Sequence, residues 1–247
     1  MRMHDAFSGI HISQGGIMQT TEETLRSLFG RMVGDEKHIW AAASTLNAIW
    51  VLYDRVLDIS PDNIDDPDRD RFYLSKGHGP MAYYAMLAAK GFIAPEMLDT
   101  WTQLGSPLGL HPDRMLVPGV EISSGSLGHG LPLGVGTALG LRAEGRRARV
   151  VVLLGDGEFD EGSNHEAVAI AGRLGLDRVT AIVIDNRSAS LGWPGGIASR
   201  FEVEGWRATT VDGRDHDELY RALTQESDGR PQAVVAEIRK LREGSAA

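Results

Sequence analysis

Apolar residues at Ile39, Ala42, Ala43, Leu46, Ile49, Trp50, Tyr53, Val56 and Leu57 recur at steps of three and four, a helical period held for about five turns. This spacing predicts one long buried helix. Residues 80–90 (PMAYYAMLAAK) start on a proline, which a first helical turn tolerates, and end on a lysine before Gly91, so a second helix is expected. Leucines and small residues, among them Gly134, Gly136, Ala138 and Gly140, make residues 131–142 a third helix whose glycines point to close backbone packing. Two unbroken β-branched and aliphatic runs, 149–154 (RVVVLL) and 179–184 (VTAIVI), have the pattern of central strands covered on both faces. A helical pattern over 164–174 lies between them, so the three form a βαβ unit with parallel strands and a right-handed crossover. A strand at 206–211, a helix at 215–225 and a strand at 233–238 continue the alternation. The pattern predicts a three-layer α/β domain around a central, mainly parallel sheet, with no internal repeat or linker.

Two stretches interrupt this regularity. Residues 59–71 (ISPDNIDDPDRDR) carry two prolines and five aspartates and are expected to be a solvated surface loop. The glycine- and proline-rich connection over 105–130 is too long and irregular to be an idle link, so ligand contacts are expected there. The most apolar stretch, 39–53, is broken by Ser44, Thr45 and Asn47 and falls short of the roughly 20 apolar residues that span a bilayer. Neither a membrane helix nor a targeting signal is read from the sequence, and the cytoplasm is the default location.

Composition changes this picture little. The 247 residues are 42% hydrophobic and 24% charged, as in ordinary globular proteins, with an excess of glycine at 30 residues. A net charge of −9 argues against sequence-independent binding to nucleic acid phosphates. The absence of cysteine excludes disulfides, thiolate metal sites and a cysteine nucleophile.

Candidate chemistry gathers where the two central strands end. Asp156 follows the first in Gly155-Asp156-Gly157, and Asn186 follows the second, 30 residues later. In a parallel pair both ends lie on one sheet edge about 4.8 Å apart, so two hard oxygen donors converge there. Such donors suit Mg²⁺, or Ca²⁺, and Mg²⁺ completes its shell with phosphate oxygens and water. The carboxyl edge is also where open α/β sheets bind ligands, and a helix beginning near Ser163 directs free N–H groups toward it. Neither a GxxxxGK[ST] loop nor a clean GxGxxG after a strand competes for the phosphate.

Gly155-Asp156-Gly157 with Asn186 resembles the thiamine-diphosphate motif, which defines a large superfamily. Ser75-Lys76-Gly77-His78-Gly79, Leu110-His111-Pro112-Asp113, Gly125-Ser126-Leu127-Gly128-His129-Gly130 and Val211-Asp212-Gly213-Arg214-Asp215 narrow the resemblance to the transketolase family. The similarity runs from about Thr24 to Arg239, and the chain resembles the family's N-terminal, diphosphate-binding domain alone. The resemblance implies one domain of the thiamine-diphosphate-binding fold over 1–247, the N-terminal subunit of a split transketolase. It would transfer a two-carbon ketol unit from a ketose, phosphorylated or not, to an aldose. The pyrimidine-binding and C-terminal domains would come from a partner subunit in an α2β2 heterotetramer, without which the chain would be inactive. Neither nucleic acid nor membrane is an expected partner.

The resemblance also implies roles for individual residues. Asp156 and the Asn186 side chain would bind the metal, with the Ser188 carbonyl as third ligand. Gly155, Gly157, Glu158, Gly125, Ser126 and Leu127 would contact the cofactor. His78, His111 and His38 match histidines that line the family's substrate channel. Glu161, in Gly155-Asp156-Gly157-Glu158-Phe159-Asp160-Glu161-Gly162, matches a glutamate at the subunit contact beside the partner's catalytic glutamate. The remaining histidines, His4, His11, His165 and His216, read as structural or exposed, and His129, in a glycine turn, is open to either role.

Two features depart from the family. Ile39-Trp40-Ala41 replaces the usual Pro-Gly-Gly after the first histidine, so Trp40 is expected to reshape the donor pocket. A family histidine beyond the last strand has no match here. Three rival readings stand beside transketolase: a 1-deoxyxylulose-phosphate-synthase-like carboligase, the α subunit of a 2-oxoacid dehydrogenase E1 component, and a non-catalytic cofactor-binding subunit.

Overall fold

The computed structural model describes residues 21–34, 39–190 and 192–238. In chain order these form α1 (Glu22–Phe29), α2 (Ile39–Ala43), α3 (Leu46–Val51), β1 (Arg71–Leu74), α4 (Pro80–Ala89), α5 (Gly130–Ala143) and β2 (Val150–Gly155). There follow α6 (Gly162–Arg173), β3 (Val179–Asp185), α7 (Gly196–Val203), β4 (Arg207–Asp212), α8 (His216–Leu223) and β5 (Gln232–Glu237). The five strands make one parallel sheet in the order β1-β2-β3-β5-β4.

Successive side chains of a strand point to opposite faces, and here both faces are apolar. Phe72, Leu74, Val151, Leu153, Ile182 and Ile184 pack into one core with residues of α1 to α4 and α8. Tyr73, Val150, Val152, Leu154, Ala181 and Val183 pack into a second core with residues of α5, α6 and α7. Two cores on one sheet are the three-layer α/β/α architecture expected from the sequence. The helices after β2 and β3 lie on one face and α8, which leads back from β4 to β5, lies on the other, as right-handed crossovers require when the strand order reverses.

Adjacent strands β1 and β2 send their chains to opposite faces, β1 toward α4 and β2 toward α6. That divergence opens a crevice at their carboxyl ends, the sheet edge at which open α/β sheets bind ligands. The 75–79 and 155–161 loops flank it.

The helix expected over 39–57 is corrected by the structure. It breaks at Ser44 and Thr45 into α2 and α3, then widens into a π-helical turn at Leu52–Val56. Both hydroxyls turn back onto the Ala41 carbonyl, and the Lys76 ammonium, arriving from the β1 loop, donates to the same carbonyl. Competition for a helix carbonyl by side-chain donors bends or interrupts a helix. The acidic 59–71 loop is likewise less solvated than expected at its end. Asp70 is buried, accepts from the Asp58 and Arg149 backbone N–H groups at 2.9 Å each, and pairs with the Arg149 guanidinium.

Among the α5 glycines, a Cβ on Gly134 would lie 2.6 Å from Val152 Cγ2, whereas one on Gly136 or Gly140 would meet nothing. Close packing therefore accounts for Gly134 alone of the three. No helix among the described residues is long and apolar enough to cross a membrane.

Candidate active site

Gly155 pairs with Ile184 in register, so Asp156 and Asn186 leave the same sheet edge from neighbouring strands. Asp156 is buried, and its carboxylate gathers the loop that follows β3. Oδ2 accepts from the backbone N–H of Ser188 at 2.6 Å and of Ala189 at 3.1 Å, while Oδ1 accepts from the Ser188 hydroxyl at 2.5 Å. Arg187, between Asn186 and Ser188, takes the left-handed φ of +60° that turns those amides inward. A non-glycine residue in that region is uncommon and stores local strain. The turn is tied down by the Arg187 N–H, which donates to Asp185 Oδ1 at 3.1 Å.

Asn186 donates its amide N–H to the Ser44 hydroxyl at 3.3 Å, and its Oδ1 is buried without a partner among the described residues. A Cβ on Gly157 would lie 3.5 Å from the Ser188 carbonyl oxygen, so that carbonyl abuts the glycine turn. One carboxylate, one orphaned amide oxygen and one backbone carbonyl are hard donors that fit Mg²⁺ or Ca²⁺. The described residues hold no cluster of three or more His, Cys, Asp or Glu side chains suited to a metal. A cation here would therefore need further oxygens from a phosphate ligand or water.

Glu158 ties three loops together. Its carboxylate is buried and accepts from the Ser75 hydroxyl, from Gly128 N–H at 3.1 Å and from Gly155 N–H at 3.2 Å, and burial raises its pKa. Ser75 Oγ in turn accepts from Gly130 N–H at 3.0 Å, and a Cβ on Gly130 would collide with the Ser75 side chain. These bonds fix the 125–130 loop against the ends of β1 and β2. Glu158 thus braces the walls of the crevice from within.

His78 and His111 are both exposed and line one cleft with Ala42, Pro80, Met81, Trp101 and Leu110. Gly125 supports His111 from beneath, at a φ of +122°. Leu127 reaches over Gly77, whose Cβ would lie 3.0 Å from Leu127 Cδ2, and Ser126 is exposed on the same loop. The His129 ring lies 3.2 Å from the carbonyls of Ser126 and Leu127 and closes the turn before α5. Glu161 is exposed at the N-cap of α6 without a capping side-chain bond, so helix capping does not account for it.

His38 lies outside the described residues, as do His4 and His11. Trp40 does not join the His78–His111 cleft. It is 48% exposed and lines a separate polar cleft with Asn47, Asp212, Arg214 and His216. His216 bonds Asn47 Oδ1 at 3.0 Å, and His165 packs on Phe159 and Trp193, with its pKa lowered by burial.

Sequence reasoning missed Lys76 and Ser44 as members of the site. Burial lowers the Lys76 pKa to about 8 against the pull of Asp156 and Glu158. Its ammonium is held by the Ala41 carbonyl, by Thr45 Oγ1 at 3.0 Å and by Ser44 Oγ at 3.3 Å. Lys76 sits two residues before His78 in the same glycine-rich segment, and Ser44 interrupts an apolar helix pattern; those are the only signals the sequence carries for them.

Comparison with known proteins agrees with this geometry. A family model described as "Transketolase, thiamine diphosphate binding domain" matches residues 23–241. A protein of Rhodococcoides fascians named Ferredoxin fas2 is 58% identical over 217 residues, covering 87% of this chain and 71% of that protein. Without a cysteine this chain has no thiolate for an iron–sulfur cluster, so the ferredoxin in that name has no counterpart in these residues. One of the subunits of the apulose-4-phosphate transketolase of Phocaeicola vulgatus is 37% identical over 192 residues, 75% of this chain and 68% of that protein. The crystal structure of transketolase from Campylobacter jejuni superposes with a TM-score of 0.76 at 26% identity, covering 90% of this chain and 37% of that one. The chain thus spans little more than a third of the solved transketolase it matches. It belongs to the transketolase family, as the N-terminal, thiamine-diphosphate-binding part of that family's architecture.

Proposed function

We propose that this chain is the N-terminal subunit of a two-component transketolase, which moves a two-carbon ketol unit from a ketose or ketose phosphate to an aldose. The observation that carries the reading is the convergence of Asp156, the unsatisfied Asn186 Oδ1 and the Ser188 carbonyl at one sheet edge. Asp156, Asn186 and Ser188 would hold a divalent ion, Mg²⁺ or Ca²⁺, against the cofactor's diphosphate. The backbone of Gly155 and Gly157 and the loop of Gly125, Ser126 and Leu127 would line the cofactor, with Glu158 as their brace. Bound thiamine diphosphate would supply the carbon nucleophile and the electron sink that ketol transfer needs.

The chain's own residues do the rest. His78 and His111 face one cleft, where imidazoles donate to and accept from sugar hydroxyls and position the reacting carbon. Trp101, Met81 and Leu110 wall that cleft with apolar surface and exclude water. His38 would join this set through its place in the sequence.

A partner subunit carrying the pyrimidine-binding domain fits the surface around the cleft. Leu104, Leu110, Met115, Leu116 and Leu127 are exposed apolar side chains on the 104–127 connection, and Glu161 is exposed nearby, against the Gly128 turn. Apolar side chains gathered on one segment of a soluble chain are a mark of a protein contact. The relative from Phocaeicola vulgatus, itself named as one subunit of a transketolase, supports the same division of labour. An α2β2 assembly in the cytoplasm, with no nucleic acid or membrane partner, completes the reading.

Co-expression with a pyrimidine-domain partner, followed by assay of ketol transfer with thiamine diphosphate and Mg²⁺, tests it. Turnover of ketose donors by the complex and none by this chain alone is the expected result. Turnover of 2-oxoacids in place of ketoses would move the chain to a neighbouring carboligase class, and full turnover by the chain alone would remove the partner.

A further inference from the structure

Ser44 is buried at the break between α2 and α3, and its hydroxyl has only one proton to give. That proton goes to the Ala41 carbonyl at 2.7 Å, since a carbonyl only accepts. Lys76 Nζ reaches the same hydroxyl at 3.3 Å, and an ammonium only donates. The lone pairs of Ser44 are therefore all that remains for Asn186, whose amide approaches to 3.3 Å. Only the NH₂ end of that amide satisfies the contact. Its oxygen is turned the other way, and Oδ1 is buried with no partner among the described residues.

We propose that Ser44, with its proton given to Ala41 and its place fixed by Lys76, is a positioning residue that sets the amide orientation of Asn186, so that oxygen rather than NH₂ is offered to the divalent cation. The inference rests on the proposed metal-bound function. An asparagine has one oxygen and one nitrogen at its tip, and rotation by half a turn exchanges a ligand for a group that repels a cation. A carboxylate has no such choice. Lys76 also keeps its ammonium on the α2–α3 break through Ala41, Thr45 and Ser44, away from bonding contact with the Asp156 carboxylate.

The test measures Mn²⁺ affinity by electron paramagnetic resonance on the full chain in complex with its pyrimidine-domain partner and saturating thiamine diphosphate, in wild type, Ser44→Ala, Ser44→Gly, Asn186→Asp and the Ser44→Ala/Asn186→Asp pair. Loss of an outer-shell partner typically weakens metal binding 10- to 100-fold, so about that loss is expected in both Ser44 variants. In the Asn186→Asp background the Ser44→Ala change is expected to cost nothing further, because either carboxylate oxygen serves. Unchanged affinity in both Ser44 variants overturns the proposal while leaving the metal site in place. An equal fold-loss with Asn and with Asp at 186 also overturns it, by showing that Ser44 acts through the helix break alone. Failure of the wild-type complex to bind Mn²⁺ with the cofactor present sinks the metal-bound reading itself, and this inference with it.

Discussion

Gly125 and His111 are in direct contact: a Cβ on Gly125 would lie 2.7 Å from Cγ and 2.8 Å from Cδ2 of the His111 ring. The φ of +122° at Gly125 adds a backbone conformation that other residues rarely adopt. Gly125→Ala is therefore expected to displace the imidazole and strain the loop, at a stability cost of about 1–3 kcal/mol by thermal unfolding. Misplacing a substrate-positioning group by about an ångström costs on the order of 10²-fold in rate, and kcat/KM of the reconstituted complex is expected to fall that far. In a His111→Ala background the same glycine change should cost little more activity. Multiplicative losses would separate the two residues and refute the coupling.

The elements read correctly from sequence were those whose fate is decided locally. The runs at 149–154 and 179–184 are β-branched on both faces and became β2 and β3, and the capped pattern before Gly91 became α4. The single helix that periodicity predicts over 39–57 does not form because the Ala41 carbonyl is taken by the Ser44 and Thr45 hydroxyls and by Lys76, which comes from a loop more than thirty residues away in sequence. Periodicity reports a buried face and says nothing about which remote donor takes a carbonyl. In the site, Asp156 and Asn186 were legible because a parallel pair fixes where its ends lie. The interior bracing of Glu158 was not, because a carboxylate beside a glycine turn has the same sequence signature whether it faces ligand or core.

Two glycines on one helix carry opposite expectations. Ala at Gly134 would press into Val152 Cγ2 at 2.6 Å, an overpacking worth about 1–3 kcal/mol that outweighs the gain of up to about 1 kcal/mol in helix propensity. Gly136 faces open space in the same helix, so Gly136→Ala is expected to stabilise the isolated chain by roughly 0.5–1 kcal/mol. Urea unfolding of both variants decides the point. Equal shifts of the same sign would mean that the α5–β2 contact does not set the difference.

Glu158→Gln keeps the shape of the side chain and replaces one acceptor oxygen with a donor. Either end of the carboxylate now meets a backbone N–H, Gly128 on one oxygen and Gly155 on the other, so one donor must face another. A buried donor left unmet costs about 1–3 kcal/mol, and that loss of stability is expected. Freeing the 125–130 loop should also weaken thiamine diphosphate binding by about tenfold, read by quenching of intrinsic tryptophan fluorescence. A destabilised variant with unchanged cofactor affinity would confine Glu158 to the core.

Lys76 gives stability a pH dependence of unusual sign for a basic residue. Burial is the larger influence and lowers its pKa to about 8 from 10.5, and Asp156 and Glu158 only partly oppose it. Below pH 8 the ammonium is charged in both folded and unfolded chains, and the folded state carries the full cost of burying it. Between pH 8 and 10.5 the unfolded chain holds more of this proton than the folded one, so folding stability rises with pH across that window. Each pKa unit is worth about 1.4 kcal/mol, so the whole rise amounts to about 3 kcal/mol. Lys76→Met has no proton to lose, so other titrating groups cancel when the two chains are compared. Wild type is expected to gain that amount relative to Lys76→Met between pH 7.5 and 10.5, measured by urea unfolding. A constant difference across the range would mean that the ammonium is better compensated by Ala41, Ser44 and Thr45 than its burial indicates.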